Sequence, residues 1–312
     1  MRPDLNEVEK RISRRGFLRY ASVLTLGGIA SVGLPISGNA CVNNCESEEH
    51  ELTLNLDDGQ QLTYHFIQQA HGSRGRCFFV HGIGDASSSF TQVIESAVSS
   101  GYDVIYYDQP GAGENSTVGV AFESACEILK TIVEQHARRG RKNYCISHSM
   151  GGLLMLLTFA KYPPNVRHVK LLAIEPSITL PDYQFFGWIQ EPPAGVGYDG
   201  LLESVGTWGD AYAPTYAINL ANTSRSLFIE HAQYVYEHFD EYRQQILDSG
   251  IAFTYVYGDN SSGTEYRAEM GTFPQVQAYH FANAAHWVHV DAESEFLEFL
   301  GTTFLKNRHP FV

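Results

Sequence analysis

The sequence predicts an α/β chain: a mainly parallel sheet covered by helices on both faces, opened by a hairpin and interrupted late by a helical insertion. Three observations carry this. From residue 76 onward, short apolar runs of strand length alternate with longer stretches of helical period. Ahead of them, residues 51–56 and 62–68 alternate apolar and polar side chains around Asp57-Asp58-Gly59, the pattern of a hairpin. Finally, residues 177–250 break the alternation and are too long for a simple loop in a compact domain.

The elements follow in order. Residues 76–80 form the first parallel strand, and 89–99 a helix with Phe90, Val93, Ile94 and Ala97 on one face. A strand over 103–107 precedes a helix over 120–137 that carries Ile128, Leu129, Ile132 and Val133. Residues 143–148 read as a buried strand, the run from Leu153 to Leu157 as a buried helix start, and 169–174 as the sixth strand. Within 177–250, Tyr183, Phe185, Phe186, Trp188, Trp208, Tyr212 and Tyr216 stand among prolines and glycines, ahead of a helical stretch around 228–247. These aromatics favour a lid lining an apolar pocket over a packed extension of the core. Strands over 253–257 and 276–281 and an amphipathic helix over 293–305 close the chain.

The first forty residues read as a separate label. Ser13-Arg14-Arg15-Gly16-Phe17-Leu18-Arg19 precedes a modestly apolar stretch over 20–36, and small residues follow at Gly38-Asn39-Ala40. Basic end, apolar middle and small-residue cleavage site make a signal peptide, and the arginine pair resembles the twin-arginine export type. The expected organisation is a leader over 1–40, an acidic tether over 41–50 and one catalytic-sized domain over 51–312 with the lid at 177–250. The expected location is periplasmic or secreted, with the export machinery as a partner. Cleavage after Ala40 would expose Cys41, but Gly38 stands where a lipidation site carries a larger aliphatic residue. A lipidated Cys41 or an uncleaved leader are the two routes to a membrane anchor, and otherwise Cys41 and Cys45 can pair.

Composition excludes some functions. The chain carries 21 basic and 35 acidic side chains, a net of −14. Removing a leader with six basic and three acidic residues leaves 15 against 32, or −17. Such a field repels phosphate backbones, so nucleic acid is not an expected partner. Five cysteines are too few for a disulfide scaffold, and their spacing is not that of a zinc site. Cys77, Cys126 and Cys145 lie in apolar patterns and read as buried, inert thiols.

The chemistry gathers at strand ends, where open parallel sheets bind ligands. Ser147-His148-Ser149-Met150-Gly151-Gly152 joins the strand over 143–148 to an apolar helix, the place of a nucleophile elbow. Small residues flank the serine, with Ser147 where Gly-x-Ser-x-Gly has its first glycine. His81-Gly82-Ile83-Gly84 follows the first parallel strand, and Asp108-Gln109-Pro110-Gly111-Ala112-Gly113-Glu114-Asn115-Ser116 the second. Asp259 follows a late strand in Tyr257-Gly258-Asp259, and His286 follows the last in Ala284-Ala285-His286-Trp287-Val288-His289.

Taken together, these strings resemble the α/β-hydrolase family in its lidded form, over about residues 51–308, the lid contributing least. The resemblance implies a triad in the family order: Ser149 as nucleophile, Asp259 as acid and His286 as base. It also implies oxyanion donors at the backbone N–H groups of Met150 and Ile83. The roles suit the residue types. A serine hydroxyl needs a base during attack, the acid holds one imidazole tautomer, and fixed donors hold the oxyanion.

Glu175, in Ile174-Glu175-Pro176, is the alternative acid, ranked second because Gly-Asp at the later strand is the commoner family arrangement. His289 reads as a surface or core histidine, and His148 as pointing away from the nucleophile. His81 is expected to brace the oxyanion loop, Asp108 to bond backbone in its glycine-rich turn, and Asp85 with Ser87–Ser89 to cap a helix start, with a border of the pocket as their alternative. A serine at the nucleophile position sets the chain apart from the dehalogenases and epoxide hydrolases, which use aspartate. The implied function is an exported serine hydrolase acting on a carboxylic ester of a small-molecule acyl substrate, with no cofactor or metal. Carbon–carbon bond hydrolysis, perhydrolase-like chemistry and a non-turnover receptor are the alternatives on the same fold.

Overall fold

The computed structural model describes residues 47–306, except 209, 260–268, 270–272 and 274. The leader, most of the tether, Cys41 and Cys45 lie outside the described residues. Eight strands build one sheet: β1 (Ser47–Asn55), β2 (Gln61–Gln69), β3 (Arg76–Val80), β4 (Asp103–Tyr106), β5 (Asn143–His148), β6 (Val169–Ile174), β7 (Phe253–Gly258) and β8 (Val276–Phe281). Their spatial order is β1-β2-β4-β3-β5-β6-β7-β8. From β4 to β8 every neighbouring pair is parallel, while β2 pairs antiparallel with both β1 and β4. The opening hairpin thus caps one edge of a parallel sheet.

Pleating divides the core in two. On one face, Phe78, Val80, Cys145, Leu171, Ala173 and Tyr255 pack beneath helices α2 (Phe122–His136) and α3 (Met150–Lys161). On the other, Cys77, Phe79, Tyr144, Ile146, Leu172 and Val256 pack against α1 (Thr91–Ser99) and the C-terminal segment with Phe296, Phe299 and Phe304. The α3 sequence is apolar all round because the helix is buried on all sides from Met150 to Phe159. That helix carries the elbow, so its burial fixes where Ser149 stands.

Between β6 and β7 the described residues form five helices: α4 (Leu180–Trp188), α5 (Gly197–Val205), α6 (Ala213–Ala221), α7 (Arg225–Glu237) and α8 (Phe239–Ser249). The single helical stretch expected around 228–247 is therefore two, joined at His238 (φ −107°, ψ 12°). Strand β1 begins at Ser47 and takes in the last four residues of the expected tether, pairing Ser47 with Gln69. Its outer residues Ser47, Glu48 and Glu49 are exposed, as suits an edge strand, which conceals it from a search for alternation. The last helix is α only over Glu293–Phe299 (α10, after the short helical turn α9 at Val288–Asp291) and ends in a π turn over Leu300–Phe304. Among the described residues, no helix is long and apolar enough to cross a membrane.

Candidate active site

Ser149 stands between β5 and α3 with φ 54° and ψ −128°. A non-glycine residue held there costs about 1–3 kcal/mol, and only surrounding structure can hold it. Ser149 N–H donates to the Ile174 carbonyl at the end of β6 (2.9 Å), and the Ser149 carbonyl accepts from Gly152 N–H (2.8 Å) and Ser177 N–H (3.1 Å). A Cβ on Gly151 would run into the His81 and Val80 carbonyl oxygens, and one on Gly152 would lie 2.6 Å from Pro176 Cβ. Both glycines are therefore required by close approach. Ser147 fits where the usual motif has glycine, because its buried hydroxyl donates to the Leu172 carbonyl (3.2 Å).

The loop after β3 closes over the elbow. A Cβ on Gly82 would lie 3.0 Å from Ser149 Cβ and 3.4 Å from its Oγ. His81 braces this loop: its Nδ1–H donates to the Gly82 carbonyl (2.8 Å) and its Nε2 accepts from Gln109 N–H (2.8 Å). Ile83 and Met150 both line a small cavity, together with Gly82. Asp108 takes Ser87 N–H (2.6 Å) and Glu114 N–H (3.0 Å), fastening the neighbouring glycine-rich turn.

The insertion is tied to this loop by hydrogen bonds. Asp85, fully buried, accepts from Tyr212 O–H (2.9 Å), Asn219 Nδ2–H (2.8 Å) and its neighbour's Ala86 N–H (2.9 Å). Tyr216 O–H donates to the Ile83 carbonyl (3.1 Å). Asp85 thus does more than cap a helix start. Burial raises its pKa against the pull of His81 and these donors.

His286 follows β8, and its carboxylate neighbour is Glu175. Glu175 Oε2 lies 3.8 Å from His286 Nδ1, within ion-pair range and longer than a hydrogen bond. Such contacts commonly shorten in a substrate complex. Glu175 is fully buried, and its Oε1 accepts from Gly258 N–H (2.8 Å). Its own backbone is left-handed (φ 45°), with N–H donating to the Val256 carbonyl (2.9 Å). Burial alone would lower the His286 pKa, but Glu175, with Asp182 and Asp210 further off, outweighs it and holds the imidazole above its ordinary value. Asp182 accepts from both Thr179 N–H (2.8 Å) and Thr179 O–H (2.6 Å) near the start of α4, and burial pushes its pKa up to about 7.

Asp259 is engaged elsewhere. It is exposed, accepts from Asn283 N–H (3.1 Å) and meets His280 Nε2 at 2.5 Å. The structure thus brings Glu175, and not Asp259, to His286. The carboxylate that the sequence reading placed second is the one that lies beside His286.

His148 also departs from expectation. Its ring lies 4.6 Å from the His286 ring, and its Nε2–H donates to the His286 carbonyl (2.9 Å). His148 keeps the strand alternation, sharing the face of Tyr144 and Ile146, and the segment after β8 with His286 and His289 packs on that face. Burial, with the neighbouring histidine charges, lowers its pKa well below the ordinary value and keeps it neutral. His289 is a core residue, stacked on Phe90 at 4.7 Å, its pKa pushed by burial down to about 3. The sequence reading offers Asp85 as a pocket border only second to a helix cap, and it does not single out His148 or Asp182 for contact with the site. Of these, only Asp182 leaves a readable signal, the Thr179-x-x-Asp182 spacing of a helix start. Among the described residues, no cluster of three or more His, Cys, Asp or Glu side chains is placed to hold a metal ion.

Comparison with known proteins supports this architecture. Residues 78–196 match the family described as alpha/beta hydrolase fold. Over 111 residues, 32% of this chain, it is 29% identical to Protein ABHD8 of Bos taurus, and the match spans 25% of that protein. Over 126 residues, 38% of this chain, it is 29% identical to the 2-hydroxy-6-oxononadienedioate/2-hydroxy-6-oxononatrienedioate hydrolase of Escherichia coli K12, spanning 43% of that enzyme. Among solved structures, a carboxylesterase of Nitrososphaera gargenis superposes with a TM-score of 0.60 at 17% identity, covering 80% of this chain and 96% of that one. A lipase in its open form reaches 0.64 at 15%, covering 84% and 100%. The chain has the α/β-hydrolase fold.

Proposed function

We propose that this chain of α/β-hydrolase fold is a serine hydrolase that cleaves a carboxylic ester or related acyl bond, with Ser149 as nucleophile, His286 as base and Glu175 as orienting acid. The observation that carries the reading is the Ser149 elbow at φ 54°, with Gly82 against its hydroxyl and the Glu175–His286 pair at the neighbouring strand ends. Strain at both Ser149 and Glu175 is consistent with a site held in place for chemistry.

In this mechanism His286 takes the Ser149 proton as Oγ attacks the acyl carbon. Glu175, fully buried beside Nδ1, holds the proton there and stabilises the imidazolium. The N–H groups of Met150 and Ile83 receive the oxyanion, and removing one such donor typically costs about 3 kcal/mol of barrier. His286 then returns its proton to the leaving group. Water repeats the sequence on the acyl-enzyme. No cofactor enters these steps. The five-helix insertion serves as the lid, joined to the oxyanion loop through Asp85 and Ile83.

The names of the two carboxylesterase and lipase structures favour ester substrates, while the E. coli relative acts on a hydroxy-oxo-dienedioate. Ester hydrolysis is the primary reading, and that dienedioate belongs in the substrate panel. The Ser13–Arg19 string supports export by the twin-arginine route. The test is pre-steady-state hydrolysis of 4-nitrophenyl esters. A burst of nitrophenol equal to the enzyme concentration, absent in Ser149→Ala, is expected; turnover retained in Ser149→Ala contradicts the assignment.

A further inference from the structure

The small cavity is formed by His81–Gly84, by the loop after β4 from Gln109 to Ala112, by Met150, and by Thr223, Leu227, Phe228 and His231 of the insertion. Both residues assigned as oxyanion donors line it, as does Gly82, whose added Cβ would lie 3.4 Å from Ser149 Oγ. We propose that this cavity receives an acyl group carrying a hydrogen-bond donor, a hydroxyl or an amide N–H, and that Gln109 and His231 select it. The inference rests on the serine-hydrolase reading and names the substrate class of that site.

The first observation concerns Gln109. Its carboxamide NH2 donates to the His81 carbonyl, and only the NH2 end can face a carbonyl. The amide orientation is therefore determined, and Oε1 is the remaining atom. Gln109 is 4% exposed, and Oε1 is buried without a hydrogen-bond partner. Buried acceptors are normally paired, so an unpaired one on a cavity wall points to a ligand.

The second concerns His231. Its Nε2 lies 2.8 Å from the Val120 carbonyl, which accepts only, so Nε2 carries the proton and Nδ1 is an acceptor. The ring is 4% exposed and packs edge-on to Phe122 at 5.9 Å. Among the described residues none donates to Nδ1. Burial lowers its pKa and keeps the imidazole neutral.

The other polar side chains on the wall are committed. Thr223 O–H donates to the Asn219 carbonyl (3.0 Å), and His81 uses both nitrogens within its loop. Beyond the two oxyanion donors, the wall offers acceptors set among Leu227, Phe228 and Ala112. A plain alkyl group would leave those acceptors unpaired, and a carboxylate would repel them. Sites built to hydrogen-bond a substrate donor reject analogues lacking it far more strongly than apolar pockets reject a missing methylene.

The experiment compares kcat/KM of the full chain for the 4-nitrophenyl esters of butyrate, 3-hydroxybutyrate and N-acetylglycine. Within each variant the ratio to butyrate cancels the fraction of folded enzyme. A ratio on the order of 10–100 for at least one donor-bearing ester, falling toward one in both His231→Phe and Gln109→Met, is expected. Which ester is favoured tells hydroxyl from amide. A ratio near one in the wild type, with butyrate turned over, overturns the inference and leaves a water-filled cavity beside a working triad. A preference surviving both variants overturns the assignment to Gln109 and His231. If no ester is turned over and Ser149 resists covalent labelling, the serine-hydrolase reading itself fails, and this inference with it.

Discussion

Glu175 Oε2 and His286 Nδ1 stand 3.8 Å apart, at the ends of non-adjacent strands β6 and β8. The carboxylate is fully buried and anchored by Gly258 N–H of the strand between them. In the proposed mechanism this relationship makes Glu175, rather than Asp259, the acid, and it can be tested by kinetics. Glu175→Gln should lower kcat by about 10³–10⁴-fold through loss of the tautomer that leaves Nε2 free to act as base. Asp259→Asn, at the surface beside His280, should leave kcat within a few-fold.

The same pair sets a pH dependence. His286 must be neutral to act as base, and its pKa is raised chiefly because Glu175 overcomes the effect of burial. Activity should therefore rise with pH through a value above the ordinary imidazole pKa of about 6.5. In Glu175→Gln the residual activity should rise at lower pH, because burial is less opposed. A pH–kcat/KM profile of both proteins checks the direction.

His289 gives a stability prediction of known sign. Its folded pKa is depressed to about 3, so between about 6.5 and 3 the unfolded chain binds more protons at this site. Stability should fall as pH drops through that window. His289→Phe should flatten the slope, and His148 and His231, depressed in the same direction, should contribute to what remains. Urea unfolding at a series of pH values separates the two.

The insertion should lose its hold on the loop after β3 when Asp85 loses a donor. Tyr212→Phe removes one hydrogen bond to a buried carboxylate, which should cost about 1–3 kcal/mol of stability. The Asp85 pKa should rise further. Denaturant unfolding gives the first quantity, and the ester kcat shows whether the loop has shifted.

Gly151→Ala tests the elbow. The added Cβ meets backbone carbonyls of His81 and Val80, which cannot swing aside as a side chain can. Destabilisation of about 1–3 kcal/mol and loss of turnover are expected. The contrasting change is Gly206→Ala, where nothing lies within 4 Å, and it should be nearly silent in both assays.

Much of this was legible in the sequence, for identifiable reasons. Strands such as 76–80, 143–148 and 169–174 are buried on both faces, so their apolar runs end where the strands end. Ser149, His286 and the His81–Gly84 loop follow from strand ends and one turn motif. The acid does not, because it depends on tertiary geometry. Glu175 reaches His286 by a left-handed turn at φ 45°, and Asp259 is captured by His280 and Asn283. The Asp85 contacts join residues over 120 positions apart, and no local pattern announces them. The start of β1 was hidden because its charged, exposed residues look like a tether until Gln69 is seen to pair with Ser47.

The most direct test of the central claim is labelling with a fluorophosphonate probe, read by peptide mass spectrometry, on the wild type and on Ser149→Ala, His286→Ala, Glu175→Gln and Asp259→Asn. Rapid modification at Ser149, lost in the first two variants, strongly slowed in Glu175→Gln and unchanged in Asp259→Asn, is the predicted result. A folded wild type that resists the probe, or slowing in Asp259→Asn with none in Glu175→Gln, would contradict it.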